Sequence, residues 1–230
     1  MSTRKTPFVN GEFFHIYNRG VDKRIIFTDN YDIRRFFQSM VEFNTVSPIG
    51  SLYENSFRRR GGPTAKSAGV PNKKENKLVN VVAYCLNPNH FHFILEQLTD
   101  GGISEFMKRL GGGYAWYFNN KYKRNGSLFQ GKFKSVHVDS NEYLLHVSAY
   151  VNLNDRIHQL GGRTAKLVES MSSWEEYVRI GKKANDICAK EIILEQFRNK
   201  SEYKEFATAS LEDIVERRTN LKDIEKMLLE

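Results

Sequence analysis

The chain has little cysteine. Its 230 residues hold two, Cys85 and Cys188, far apart in sequence. That excludes a disulfide framework, and no CxxC pair exists to nucleate a zinc ribbon. Long apolar runs are missing as well. No stretch reaches the ~18 residues that a membrane span needs, so no membrane partner is expected. The opening MSTRKTPFVNGEFF lacks the apolar stretch of a secretory signal. The chain reads as cytoplasmic.

Acidic residues are the scarcer charge, with 27 Asp+Glu against 35 Lys+Arg and a net of +8. The excess is unevenly spread. Residues 190–230 carry a net of −2, which leaves +10 for residues 1–189. A body so basic suits a polyanionic partner. Hydrophobic residues make up 40% of the chain and aromatics 13%, enough for a packed core.

Residues 12–18, EFFHIYN, read as a first strand closed by Arg19 and Gly20. Asp29 or Asn30 can cap a helix over 30–44, with Ile33, Phe36, Phe37 and Met40 on one stripe. Residues 45–78 break the pattern with Pro, Gly and Arg58-Arg59-Arg60, and are expected to form a long basic loop. It is either an insertion without structure or an arm that touches nucleic acid. VNVVAYCL (79–86) and HFHFILEQ (90–97) predict a hairpin around Asn87-Pro88-Asn89. Ile103, Phe106, Met107, Leu110, Tyr114, Tyr117 and Phe118 form the stripe of a second helix. Gly111, Gly112 and Gly113 each cost that helix about 1 kcal/mol against Ala, so a kink is expected there. A fourth strand is predicted over 128–138. A third helix follows over 140–154, with Asp139 and Glu142 spaced as a capping box. From residue 190 on, apolar residues at helical spacing predict two amphipathic helices.

The order β-α-β-β-α-β is the ferredoxin-like split arrangement. The expected class is α+β: an antiparallel, ferredoxin-like or RRM-like sheet with helices on one face. Residues 1–180 are expected to form one domain and 190–230 a helical appendage, packed on the body or on a second chain. Both a monomer and a homodimer are compatible with this reading.

His90 and His92 are two apart on a strand, so both imidazoles point the same way, about 6–7 Å apart. Phe91, Phe93 and Leu95 then point into the helices. Two neutral imidazoles on one face can share a divalent cation, although HxH alone is also met as two polar residues on an open face. Tyr150 and Asn154 are four apart, hence on one helical face. Tyr150 can be core and Asn154 a cap. Together with the histidines they can also form a metal-assisted nucleophile. In that reading the cation takes His90, His92 and the Asn154 amide oxygen, and the Tyr150 phenol, with a free pKa of ~10, attacks phosphorus.

Here the sequence resembles a known family. YCLNPNHFHFILE is similar to the HUH block of single-tyrosine transposases of the insertion-sequence type, and GSLFQGKFKSVHVDSNEYLLHVSAYVNLN to their second block. FHIYNRGVDKRIIF resembles their first strand and turn. The blocks run in order across about residues 12–160, and Asn at position 154 resembles the REP-associated branch. The resemblance implies an HUH endonuclease fold, His90, His92 and Asn154 as ligands of Mg²⁺ or Mn²⁺, and Tyr150 as nucleophile. It implies cleavage of single-stranded DNA beside a hairpin, leaving a 5′-phosphotyrosine and a free 3′-hydroxyl. Asn87 stands where Met is usual, and is expected to affect only turn geometry. Asp155 stands where Pro is usual, which should let the third helix run on.

Tyr143, near the start of that helix, is the rival nucleophile. His146 reads as packing, His137 and His158 as structural or surface, and His15 as a histidine on the face of the pair. Lys132, Lys134, Arg19 and Arg58–Arg60 are candidates for DNA contacts, against the plainer reading of a solvated surface. The competing functions are a non-catalytic repeat-DNA-binding protein and an RNA-binding protein on the same fold. The second lacks the RNP signature, and both leave the His–His–Tyr–Asn set unexplained.

Overall fold

A computed structural model describes residues 7–59, 77–159, 169–181, 183 and 186–227, without the side chains of 57–59, 158–159 and 218–227. The described strands are β1 (Phe13–Arg19), β2 (Val79–Asn87), β3 (His90–Gln97), β4 (Lys134–Val138) and β5 (Met171–Ser172). They form one antiparallel sheet in the order β4-β1-β3-β2-β5. The first four strands have the ferredoxin-like order, with β1 and β3 central.

The helices are α1 (Asn30–Glu42), α2 (Leu52–Arg59), α3 (Gly102–Lys121), α4 (Asn141–Asn152), α5 (Asn154–Gln159), α6 (Trp174–Val178), α7 (Glu191–Leu194) and α8 (Lys200–Met227). Strand alternation divides the apolar residues between two faces. Phe14, Ile16, Phe91, Phe93 and Leu95 face α1 and α3, where they meet Phe36, Met40, Phe106, Leu110 and Tyr114. Val82, Ala83, Cys85 and Ile94 face the other way. A register shift between Val81 and Ala83 puts neighbours Val82 and Ala83 in the same second cluster. There they meet Leu144, Val147 and Val151 of α4, Tyr177 of α6 and Tyr203 and Ala207 of α8. So α1 and α3 cover one face, while α4 and the C-terminal helices cover one end of the other.

Several local expectations change. Helix α3 runs unbroken through its three glycines. Gly113 lies where a Cβ would be 3.1 Å from Phe43, so close packing accounts for it. Leu110, Tyr114 and Phe118 bind both halves of the helix to one core, and packing outweighs the propensity cost. Strand β4 is shorter than predicted, because Gly131 takes a left-handed φ of 68° and breaks the extended run. Phe129 is left with an isolated bridge to Gly20. The cap of α4 is Ser140, whose hydroxyl accepts from Tyr143 N, in place of Asp139. Helix α4 ends at Asn152, and Asn154 opens α5. Val151, Asn152, Leu153 and Asn154 are all buried, which a straight helix with one buried face does not allow.

Within the expected loop 45–78, residues 52–59 are helical. Arg58 and Arg59 end α2, but their side chains lie outside the described residues, as does Arg60 altogether. The tail is one short helix and one long one. Tyr203 of α8 is fully buried; its hydroxyl accepts from Asn152 Nδ2 at 2.8 Å and lies 3.2 Å from Ser148 Oγ.

Candidate active site

The site forms on the sheet face opposite α1 and α3, at the edge of the cover that α4 provides. On β1, period two places Phe13, His15, Tyr17 and Arg19 on this face. The β1–β3 register sets Tyr17 opposite His92 and Arg19 opposite His90. The hairpin tip is firmly held. Pro88 O accepts from Ile26 N and Phe27 N at 2.7 and 3.0 Å, and Asn89 O accepts from Gly20 N at 2.9 Å. This fixes Asn87, Asn89 and His90 relative to the strands.

His90 Nδ1 is 2.6 Å from Asn89 Oδ1. The Asn89 amide is oriented by its Nδ2, which donates to Lys23 O. A carbonyl-type acceptor requires the proton on Nδ1, so Nε2 of His90 carries the lone pair. That lone pair is 3.1 Å from Asn154 Oδ1. Two acceptors therefore converge. Asn87 Nδ2 supplies the hydrogens, donating to His90 Nε2 at 3.0 Å and to Asn154 Oδ1 at 2.8 Å. Asn87 Oδ1 in turn accepts from Ser170 Oγ at 2.9 Å. Asn154 is fully buried, and its Nδ2 has no hydrogen-bond partner. An orphaned buried donor costs about 1–3 kcal/mol, so the amide is held oxygen-inward at the expense of its nitrogen.

His92 is 8% exposed, and its Nδ1 lies 2.9 Å from His15 Nε2. The two rings meet edge to edge, within 19° of coplanar and with centroids 5.1 Å apart, and the Tyr17 ring stacks on His92 at 5.6 Å. Burial lowers the pKa of His15 to about 4, so this imidazole is neutral. Tyr150, half-buried on α4, stands edge-on to His92 at 5.5 Å and to His15 at 5.9 Å. His90, His92, Tyr150 and Asn154 are thus brought together, although a helix break separates the last two.

Other expected residues divide clearly. Lys134 is exposed on the histidine face, paired with Tyr17. Arg19 is on the same face, and its Nε donates to Gln130 Oε1. Lys132 is exposed in the segment before β4. His137 lies 2.9 Å from Glu12 Oε2, and His146 packs on Phe206 at 5.2 Å, both away from the pair. The side chain of His158 lies outside the described residues. Tyr143 sits at the start of α4, and no ring contact joins it to the histidines among the described residues. Asp155 is close enough to Cys85 to help push its thiol pKa up, after burial.

Asn87 is the residue that sequence reasoning undervalued. It is 3% exposed and bonded to two of the candidate ligands, well beyond a turn former. Its pairing opposite His90 across a two-residue turn was the available signal. Tyr17 was legible in the same way, from the period of β1.

The donor set fits a hard divalent cation. Among the described residues no three His, Cys, Asp or Glu side chains gather as ligands, so a cation here needs the Asn154 amide oxygen besides the imidazoles. His90 Nε2 and Asn154 Oδ1 are spaced like neighbouring vertices of an octahedron with bonds of about 2.1 Å.

Comparison with known proteins gives a family match over part of the chain. Residues 67–154 match the model of the IS200-like transposases. No match was found among the curated proteins. Among solved structures, the chain is similar to a REP-associated tyrosine transposase bound to a REP hairpin, with 13% identity, a TM-score of 0.46, and coverage of 81% of this chain and 90% of that one.

Proposed function

We propose, from the match of residues 67–154 to the IS200-like transposase model, that this protein is a metal-dependent single-stranded DNA endonuclease and strand transferase. Its substrate is single-stranded DNA with a hairpin beside the cut. The carrying observation is the convergence of Tyr150, His92, His90 and Asn154 on the sheet face opposite α1 and α3.

His90, His92 and Asn154 are the residues that would hold Mg²⁺ or Mn²⁺. When bound there, the cation polarises the scissile phosphate and stabilises charge on the leaving oxygen. The rest falls to the chain's own groups. Tyr150 is held edge-on to His92 by α4, and its Oη is the group that attacks a phosphate laid over the histidines. The Oη–phosphorus bond forms as the bond from phosphorus to the 3′-oxygen breaks. The phenol gives up its proton, and the departing 3′-oxygen takes one up. The products are a 5′-phosphotyrosine and a free 3′-hydroxyl, and the ester keeps the bond energy for rejoining. Arg19 and Lys134 flank the histidine face and serve as phosphate contacts that set the register of the strand.

The test is incubation of the purified chain with a labelled single strand bearing a hairpin, with Mn²⁺ or with excess chelator. A covalent, protease-sensitive adduct with Mn²⁺ and none with chelator is the expected result. Tight hairpin binding without any cleavage would instead make the protein a non-catalytic repeat-DNA binder.

A further inference from the structure

The cation reading uses His90 and His92 and leaves His15 without a part. His15 is nonetheless built into the site. It is 8% exposed, and its Nε2 is 2.9 Å from His92 Nδ1. At that separation one proton lies between the two rings, so His92 Nδ1 either donates it or accepts it. The two cases differ in chemistry. If His92 Nδ1 accepts, the proton of the neutral ring is on Nε2 and the imidazole offers a cation nothing. If Nδ1 donates, Nε2 carries the lone pair.

We propose that His15 is a positioning residue: it accepts the Nδ1 hydrogen of His92, selects that tautomer, and so makes His92 Nε2 the ligating nitrogen. The inference rests on the cation reading of this same site. Two observations support it. His90, the companion ligand, is fixed in the same way, its Nδ1 hydrogen going to Asn89 Oδ1 at 2.6 Å. The planes of both partners are also set: the His15 and His92 rings lie edge to edge, within 19° of parallel, and the Tyr17 ring lies against both, tilted 31° to His15 at 5.1 Å and 22° to His92 at 5.6 Å. Imidazole ligands of metals commonly donate their second N–H to an oxygen acceptor, and that partner fixes the tautomer. Here a second imidazole on the neighbouring central strand takes the oxygen's place.

Three variants test this: His15→Phe, which keeps a ring and removes the acceptor; His15→Gln, which restores an acceptor oxygen; and His90→Ala, which removes a ligand. Two measurements apply to each: the tautomer of His92 in the metal-free protein, from two-bond nitrogen–proton NMR correlations, and the Kd for Mn²⁺ by calorimetry without DNA. The wild type is expected to carry its proton on His92 Nδ1. His15→Phe should lose that preference and weaken Mn²⁺ binding about 10- to 100-fold, and His15→Gln should recover most of both. An unchanged tautomer and unchanged Kd in His15→Phe, with His90→Ala weakened, would overturn the role of His15. So would a His15→Gln no better than His15→Phe, because the loss would then be one of packing. If His90→Ala binds Mn²⁺ as the wild type does, the cation reading falls and takes this inference with it.

Discussion

Replacing Tyr203 by Phe removes one oxygen from the contact between α8 and α4. Tyr203 is fully buried; its hydroxyl accepts from Asn152 Nδ2 at 2.8 Å and lies 3.2 Å from Ser148 Oγ. Ser148 keeps a second bond, to Leu145 O at 2.7 Å. Among the described residues, Asn152 keeps only the side-chain bond at its oxygen, which accepts from Ser173 Oγ at 2.5 Å. The variant therefore strands one buried amide hydrogen pair and leaves the ring packing intact. Such an orphan costs about 1–3 kcal/mol. For a chain of this size each kcal/mol lowers Tm by about 2–4 °C, so a fall of about 2–12 °C is expected. Tyr203→Ala also empties the space between Tyr177, Trp174 and Phe197, and should cost about 3–5 kcal/mol. Calorimetry gives Tm, and urea unfolding checks that the slope is unchanged. Tyr53→Phe is the control, since Tyr53 is 71% exposed. A Tyr203→Ala protein with the Tm of the wild type would refute the reasoning, since α8 would then not be docked on α4.

Further outcomes follow from the same contacts. Cleavage should vanish with a chelator and return with Mn²⁺, and His90→Ala should remove most of it; full cleavage in excess chelator would reject the cation. Affinity for single-stranded DNA should fall with salt at a log–log slope of about −3.5 if ~5 phosphates are contacted, and a slope near zero would show that the basic body is not the binding surface. The Arg179 guanidinium holds the Asp186 carboxyl down at about 2, from an ordinary 3.8. A depressed carboxylate stabilises above its unfolded pKa and loses that contribution as pH falls through the folded one. Stability measured by urea unfolding should therefore decline from about pH 4 toward 2, and Asp186→Asn should flatten that decline; an identical acid limb in the variant would contradict it. Deleting 190–230 should lower Tm or solubility, yet leave cation-dependent cleavage detectable in what remains folded.

Much of this architecture was legible because alternation and the 3.6 period were unambiguous. The face of β3 was set by Phe91, Phe93 and Leu95, three apolar residues at strict period two. The α1 and α3 stripes likewise matched their buried residues, except that Phe37 and Tyr117 are only half-buried. The misreadings were local and came from backbone effects or tertiary contacts. Gly131 looked like part of a strand, and its left-handed φ is a property of the fold. The three glycines of α3 suggested a break that packing overrides. In the candidate site the two histidines, Tyr150 and Asn154 could be named from spacing and resemblance. The reason Asn154 arrives oxygen-inward could not. That depends on Asn87, which reaches it across 67 positions, and on a turn at Leu153 that the apolar pattern does not announce.

The central claim is that Tyr150 attacks the phosphate. Its most direct test is to trap the adduct with a hairpin-bearing single strand and Mn²⁺, digest the protein, and locate the nucleotide by mass spectrometry. The account predicts a nucleotide joined through its 5′-phosphate to Tyr150, and no adduct in Tyr150→Phe although that variant still binds the strand. An adduct on Tyr143, or one that persists in Tyr150→Phe, would contradict it.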